Sequence, residues 1–395
     1  MNILVINAGS SSLKIALFKK ENKNIIRVAD GISENIGLKS SKIKIKSAPK
    51  SKKETKIWKI SLPIGNHQKA LEKLLYLLKK HKIIQNEKKI DRIGHRVVHG
   101  GEKYISTTKL TPKIIREIKK ISNLAPMHNP ANIEGIQAAQ KIFKNIPQFA
   151  IFDTAFHHTI PEKSYRYALP SDIYTKYHIR RYGFHGTSHE YVSKKATEYL
   201  KKKKYPYQKI ISCHIGNGVS VTAIKNGRSI DTSMGFTPLE GVPMGTRCGS
   251  IDPSIGLYLQ KILKNTPKEI DDLFNKKSGL KALSEMSSDM RDIFKESKKG
   301  NKKANLAITI FCYHIAKYIG SYCAALKGLS ALIFTAGIGE NAYYIRKKIC
   351  DYFPQIQLDS TKNKQNAFEI QRKNSQIAVL VIPTDEEFAI AQKIC

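Results

Sequence analysis

The feature that most limits what this chain can become is a strand, a small-residue turn and a returning strand, an arrangement that occurs twice. Residues 2–7 form a short buried-type strand, Gly9-Ser10-Ser11-Ser12 a turn, and residues 13–18 a second strand. Residues 209–215, the turn Gly216-Asn217-Gly218 and residues 219–225 repeat that order and chemistry in the second half. One copy per half is an internal echo rather than a tandem array, and it predicts a duplicated α/β domain pair with a cleft between. The 395 residues give length enough for two or three domains.

Between these anchors, strands are expected at residues 27–30, 41–47, 56–61, 91–99, 148–153, 331–335 and 376–382. Helices are expected at 68–80, where Leu71, Leu74, Leu75 and Leu78 recur at helical spacing, and at 132–143 and 304–326. Two more open on Thr111-Pro112 and Thr266-Pro267, a cap residue followed by a first-turn proline, the second running to near Gly279.

Charge is the unusual part of the composition: 68 Lys and Arg stand against 32 Asp and Glu, a formal +36. Such a field recruits nucleic acid, anionic membrane or acidic ligands. The excess is lysine, dispersed in groups such as Lys52-Lys53, Lys79-Lys80, Lys119-Lys120 and 201–204, and no helix-turn-helix, zinc-finger or RNP pattern accompanies it. It reads mainly as a lysine background, and no specific nucleic-acid partner is expected. No run of 18 apolar residues occurs and the opening segment has no basic stretch before its apolar run, so a cytoplasmic protein without a membrane partner is expected. The six cysteines show neither C-x-x-C nor zinc spacing, which fits free thiols.

Phosphate chemistry enters without a Walker motif or G-x-G-x-x-G. Three loops at strand ends place small residues where backbone N–H groups can approach phosphate oxygens: Gly9-Ser10-Ser11-Ser12 with Lys14, His214-Ile215-Gly216-Asn217-Gly218, and Gly337-Ile338-Gly339-Glu340-Asn341. A single such turn is ordinarily just a hairpin; three, two of them matched between the halves, favour a nucleotide. In a lysine-rich chain, arginine marks places that need a planar fork for phosphate or carboxylate. Arg96 lies in GHRVVHGGE and Arg247 in MGTRCG, among glycine and apolar residues, whereas Arg291 in SSDMR is equally readable as a surface ion pair. His128, His157, His158, His185 and His189 sit near loops with no zinc-enzyme spacing; His185, beside glycine, is either an anion donor or a satisfied polar group, and His157 and His158 read as structural. Asp153, Glu386 and Glu387 end or follow strands, positions that suit a base, a Mg²⁺ ligand or a helix cap alike.

Taken together, VINAGSSSLK, GHRVVHGGE, APMHNP, FDTAFH, YGFHGTSH, CHIGNG, DTSMGFTPLEGVPMGTR, SSDMRDI, TAGIGENA and IPTDEE resemble the acetokinase family, within the acetate and sugar kinase, Hsc70 and actin superfamily. The resemblance implies ATP + acetate ⇌ ADP + acetyl phosphate with Mg²⁺ (Mn²⁺ as an alternative), a homodimer, and duplicated RNase H-like (actin-like ATPase) α/β domains flanking an interdomain cleft. It implies domains at 1–153, with a C-terminal helix 386–395 packing back on them, and at 154–385 for the nucleotide. Position by position, Asn7 and Glu386 match the metal site, and Ser10, Ser12 and Lys14 the first phosphate loop. His214, Gly216, Asn217 and Gly218 match the second. Asp289, Met290, Arg291, Gly337, Ile338, Gly339, Glu340 and Asn341 match nucleotide contacts. Arg96, Asp153, His185 and Arg247 match the catalytic groups, and Arg96 with His128, Val98, Phe184 and Pro238 the substrate site.

Four positions depart from the family pattern: Met127 for leucine, Cys248 for serine, Ser250 for aspartate and Asp385 for asparagine. A lost carboxylate at 250 is expected to loosen Arg247, and Met127 to relax the choice between acetate and propionate. The alternatives are a propionate or butyrate kinase of the same family, and a nonenzymatic basic nucleic-acid binder on a kinase-like scaffold.

Overall fold

The computed structural model describes residues 1–47, 55–86, 89–126 and 128–395. Met127 and the Lys52-Lys53 pair lie outside them. The chain divides into two compact units, Met1–Ala155 with Asp385–Cys395, and Phe156–Thr384.

In the first unit, β1 (Asn2–Ala8), β2 (Ser12–Glu21), β3 (Asn24–Glu34), β4 (Ser41–Ser47), β5 (Ile57–Leu62), β6 (Arg92–Val97), β7 (Thr108–Lys109) and β8 (Gln148–Phe152) form one sheet, ordered β5-β4-β3-β2-β1-β6-β8-β7. Alternation places Leu4 and Ile6 of β1 on one face and Ile3 and Val5 on the other. The first face packs on Leu71, Leu74, Leu75 and Leu78 of helix His67–Lys80. The second packs on Ile390, Ala391 and Ile394 at the C-terminus, each large aliphatic contributing roughly 1.5–3 kcal/mol. Gly94 lets that C-terminal helix approach, since a Cβ there would stand 2.6 Å from Ile390 Cγ2.

The second unit holds β9 (Lys209–Ile215), β10 (Val219–Lys225), β11 (Arg228–Thr232), β12 (Ala331–Thr335) and β13 (Ala378–Val381), ordered β11-β10-β9-β12-β13. β12 and β13 are parallel and buried throughout, although β13 lies at the sheet edge. Strands β3-β2-β1 and β11-β10-β9 are both antiparallel meanders, and each continues through two parallel strands, β6-β8 and β12-β13. The echo of the two hairpins is therefore an echo of whole sheets, and each unit carries the RNase H-like α/β core that the resemblance implies.

Two differences from the sequence expectation concern the site. Helix Gly186–Lys202 carries no apolar stripe at its start, because Thr187, Ser188 and His189 are buried there, so periodicity does not reveal it. Residues Ala336–Asn341 are a short helix rather than an open glycine loop, which still leaves first-turn N–H groups at a strand end. Among the described residues no helix is long and apolar enough to cross a membrane.

Candidate active site

In the first unit, β6 and β8 run parallel and carry Arg96 and, just past β8, Asp153 to the same end of the sheet. Asp153 Oδ2 accepts from Arg96 Nη2 at 2.6 Å, and Glu386, at the start of helix Glu386–Lys393, lies 3.3 Å from Arg96 Nε. Burial opposes the charge on Arg96, but Asp153 and Glu386 outweigh it and raise its pKa. Burial pushes the Glu386 carboxyl up to about 7, opposed by Arg96 and reinforced by Asp153 and Glu387. One cation faces two carboxylates in a desolvated setting.

Around this cluster the backbone is held by side chains. Asn132 Oδ1 accepts from Val98 N at 2.9 Å, and Asn132 Nδ2 donates to Ala8 O at 2.6 Å. His128 occupies the N-cap position of helix Asn129–Ile142 without a side-chain capping bond. The β1–β2 tip that carries Ser10 and Ser12 is tied by Gly9 N donating to Ser12 O, Ile36 N to Ser11 O and a His67 Nε2 contact with Gly9 O. Asn7 pairs with Lys14 across the hairpin. Asp385 caps its helix by accepting from Phe388 N and pairs with Arg27, a carboxylate role that asparagine would fill only in part.

In the second unit a cavity of about 890 Å³ is lined by Gly216, Asn217, Asp289, Met290, Arg291, Gly337, Ile338 and Asn341, eight of the residues carried over for the nucleotide, together with Ser288, Phe294, Ala342 and Tyr344. Phe294 and Tyr344 stack with centroids 3.4 Å apart, an apolar wall suited to a base. Arg291 is a surface ion pair: its guanidinium donates to both oxygens of Asp289. Seven carried-over residues do not line the cavity. His214 stacks on His185 at 4.1 Å, Gly339 packs over Phe334 and Ile215, and Glu340 accepts from Ala336 N at 2.9 Å and Thr384 N at 3.0 Å, bracing the segment from behind. Gly218, Ser10, Ser12 and Lys14 are also outside that lining, the last three belonging to the first unit.

Arg247 is positioned by its loop. Met244 N donates to Arg247 O, Leu280 N to Met244 O, Ser278 N to Thr246 O, and Gly245 N to Asn217 O, each at 2.8–3.1 Å. Among the described residues its guanidinium meets only Pro238 O at 3.4 Å and Met244 Sδ at 3.7 Å, and burial lowers its pKa. Among the described residues no carboxylate lies within 4.0 Å of it. A Cβ on Gly218 would stand 3.3 Å from His185 Nε2 and 3.8 Å from Arg247 Nη1, so turn, histidine and arginine converge. His185 adopts φ 55°, a left-handed conformation uncommon outside glycine, at the head of helix Gly186–Lys202. Ser250, where a carboxylate was expected to steady Arg247, instead accepts from Gly241 N at 3.0 Å and contacts Tyr318 Oη, so it closes the loop by hydroxyl bonds. Cys248 N donates to Phe274 O.

Of the small apolar group, Val98 belongs to the first unit, and Phe184 and Pro238 to the second. Sequence reasoning missed Phe294 and Tyr344, although Phe294 lies one helical turn beyond Met290. It also missed Arg181, whose guanidinium donates to the carbonyls of Thr232, Ser233 and Met234 and to Glu240, fixing the chain that leads to Pro238. The third omission is Arg346, fully buried, which donates to Gly339 O at 2.8 Å and Glu340 O at 2.9 Å and to Asn363 and Asn366.

Known proteins resemble this chain along its whole length. The chain is 47% identical over 399 residues to the acetate kinase of Dictyoglomus turgidum, covering 100% of this chain and 96% of that protein. The crystal structure of Porphyromonas gingivalis acetate kinase superposes with a TM-score of 0.89 at 42% identity, over 99% and 98% of the two chains. A propionate kinase from Francisella tularensis superposes with a TM-score of 0.90 at 41% identity over the same shares. Both neighbours share the duplicated actin-like fold. The family description that fits from residue 2 to residue 392 is that of the acetokinases, and with relatives matched end to end the chain belongs to the acetokinase family.

Proposed function

We propose that this protein is an acetate kinase, catalysing ATP + acetate ⇌ ADP + acetyl phosphate by direct in-line transfer. The observation that carries the reading is Arg247: a guanidinium on a loop held by backbone bonds, beside a glycine turn and a histidine and with no acidic partner among the described residues, is a receptor for an incoming anion. Acetate is already an anion at neutral pH, so the reaction needs positioning and charge neutralisation rather than a strong base. Arg96 binds the carboxylate, and His128, Val98, Phe184 and Pro238 have the substrate roles that the family resemblance gives them. Arg247 and His185 neutralise charge on the transferring phosphoryl group. Asp153, bonded to Arg96 at 2.6 Å, orients that arginine and takes no proton. The cavity lined by Asn217, Met290 and Gly337 takes the nucleotide, its adenine against Phe294 and Tyr344.

The donor set fits Mg²⁺, with Mn²⁺ as the alternative. Asn7 and Glu386 offer hard oxygen ligands, and the cluster of two carboxylates against one arginine carries the excess negative charge that a divalent cation balances. Among the described residues no three His, Cys, Asp or Glu side chains form a cage, and Mg²⁺, which keeps several waters, needs none. When bound, the ion neutralises phosphate charge and aligns the transferred group.

The protein works in the cytoplasm, as a homodimer. Helix Ser254–Leu263 has no buried residue, and Leu257, Tyr258, Ile262 and Leu263 are more than half exposed; a second copy covering them supports the dimer. A propionate kinase is the second reading, favoured by the Francisella neighbour. Hydroxamate trapping with acetate, propionate and butyrate tests both. Highest kcat/KM on acetate is expected; a maximum at propionate replaces the first reading with the second, and no acyl phosphate from any acid refutes both.

A further inference from the structure

The first turn of helix Gly186–Lys202 lies on β9 and β10, and its i, i+4 pair His185 and His189 shares one face. Ser220 Oγ of β10 stands 2.8 Å from His185 Nδ1 and 2.8 Å from His189 Nε2. Ser212 Oγ of β9 stands 3.0 Å from His189 Nδ1. All of these groups except His185 are fully buried. Neither serine hydroxyl has another hydrogen-bond partner among the described residues.

We propose that His189 is a positioning residue which, through the hydroxyls of Ser212 and Ser220, fixes the tautomer of His185, keeping Nδ1 as an acceptor and the proton on Nε2. Proton bookkeeping decides the direction. A hydroxyl has one proton, so Ser220 can donate to only one of the two rings and must accept from the other. A neutral imidazole likewise has one N–H. If Ser212 donates to His189 Nδ1, His189 Nε2–H donates to Ser220, and Ser220 donates to His185 Nδ1, then each of these three buried protons has an acceptor, and the remaining N–H is on Nε2 of His185, the one ring of the set that is not fully buried. In the opposite direction His185 Nδ1–H donates to Ser220, Ser220 to His189 Nε2, and His189 Nδ1–H to Ser212. The buried Ser212 proton is then stranded, a cost the first arrangement avoids. Burial, with His157 and His214 adding, pushes His189 well below its usual range, which keeps that ring neutral.

The consequence lies on the far side of the His185 ring. Nε2 faces the position a Gly218 Cβ would occupy, at 3.3 Å, with Arg247 Nη1 beside it at 3.8 Å. Stacking on His214, itself held by Ser188 Oγ at 2.8 Å, fixes the plane of the ring. The relay therefore aims an N–H, rather than a lone pair, toward the side where Arg247 points. That this N–H meets a phosphoryl oxygen rests on the acetate kinase reading; the tautomer itself does not.

The test is ¹⁵N-histidine NMR on the full chain, wild type and Ser220→Ala, with steady-state kinetics on the same samples. The wild type is expected to show His185 with a bare Nδ1 and a protonated Nε2. Ser220→Ala is expected to mix the tautomers and lower kcat roughly tenfold or more at unchanged KM for ATP, as for a lost transition-state donor, with Ser220→Thr restoring both. A wild-type proton on His185 Nδ1, or an unchanged tautomer in Ser220→Ala, overturns the proposal. Should the variant fail to fold, the wild-type spectrum alone decides. A wild-type chain that forms no acetyl phosphate refutes the functional reading and leaves the tautomer to be judged by the spectrum.

Discussion

Arg247→Met separates a catalytic cation from a structural one by the sign of its effect on stability. The substitution keeps most of the side-chain volume and removes the charge. At about 4 Å and an effective dielectric of about 20, a unit charge on the transferring phosphoryl group gains about 4 kcal/mol from a guanidinium, or about 10³-fold in rate. Among the described residues there is no carboxylate to lose there, since the guanidinium meets only Pro238 O and Met244 Sδ. Removing a half-buried, uncompensated charge therefore stabilises the fold, by about 1 kcal/mol after allowance for its partial exposure. In a cooperative unit of 395 residues that raises Tm by about 1 °C. Arg96→Met must behave differently. It strands Asp153 and Glu386, and breaking a buried pair from one side costs about 3 kcal/mol or more. Ligand-free thermal melts and hydroxamate turnover on both variants give the comparison. Loss of stability in Arg247→Met equal to that in Arg96→Met would refute the reasoning, as would near-wild-type turnover.

Gly245→Ala should raise KM for ATP at least several-fold, because its Cβ would fall 2.1 Å from Asn217 Oδ1 and displace a side chain that lines the nucleotide cavity; unchanged nucleotide affinity by calorimetry would count against that cavity. Arg346→Met should lower stability by about 3 kcal/mol and weaken ATP but not acetate, since the guanidinium holds the carbonyls of Gly339 and Glu340; an equal rise in both KM values would mean a general loss of structure. Burial lowers His95 to about 4 and His99 to about 3. Below the unfolded value near 6.5 the unfolded chain binds more protons, so stability falls as pH drops from about 6.5 toward 4, by up to about 1.4 kcal/mol per unit for each ring. Urea titrations at pH 6.5 and 5 measure the slope, and His95→Gln should flatten it.

What was legible in the sequence is whatever local chemistry dictates. The two hairpins, the leucines of helix His67–Lys80 and the buried runs of β12 and β13 follow from residue pattern alone. The arginines stood out because a lysine-rich background makes an arginine among glycines conspicuous. At Ser250 a missing carboxylate says nothing about the hydroxyl bonds with Gly241 and Tyr318 that stand in its place. Helix Gly186–Lys202 was hidden because its buried Ser188 is satisfied by hydrogen bonds with Thr384 and His214, and its buried His189 by one with Ser212, rather than by apolar packing. Phe294 and Tyr344 meet only through tertiary packing, and Arg346 looks like one more surface cation until its carbonyl partners are known. The +36 charge, which invited a nucleic-acid reading, is a weak guide beside the few guanidiniums whose partners are fixed.

Direct transfer between ATP and acetate is tested most plainly by ³¹P NMR of the protein with Mg-ATP and acetate. The account predicts that the γ-phosphate resonance declines as an acetyl phosphate resonance grows, and that Arg247→Met slows the exchange about 10³-fold. Appearance of inorganic phosphate without acetyl phosphate, or no loss of the γ-phosphate, would contradict it.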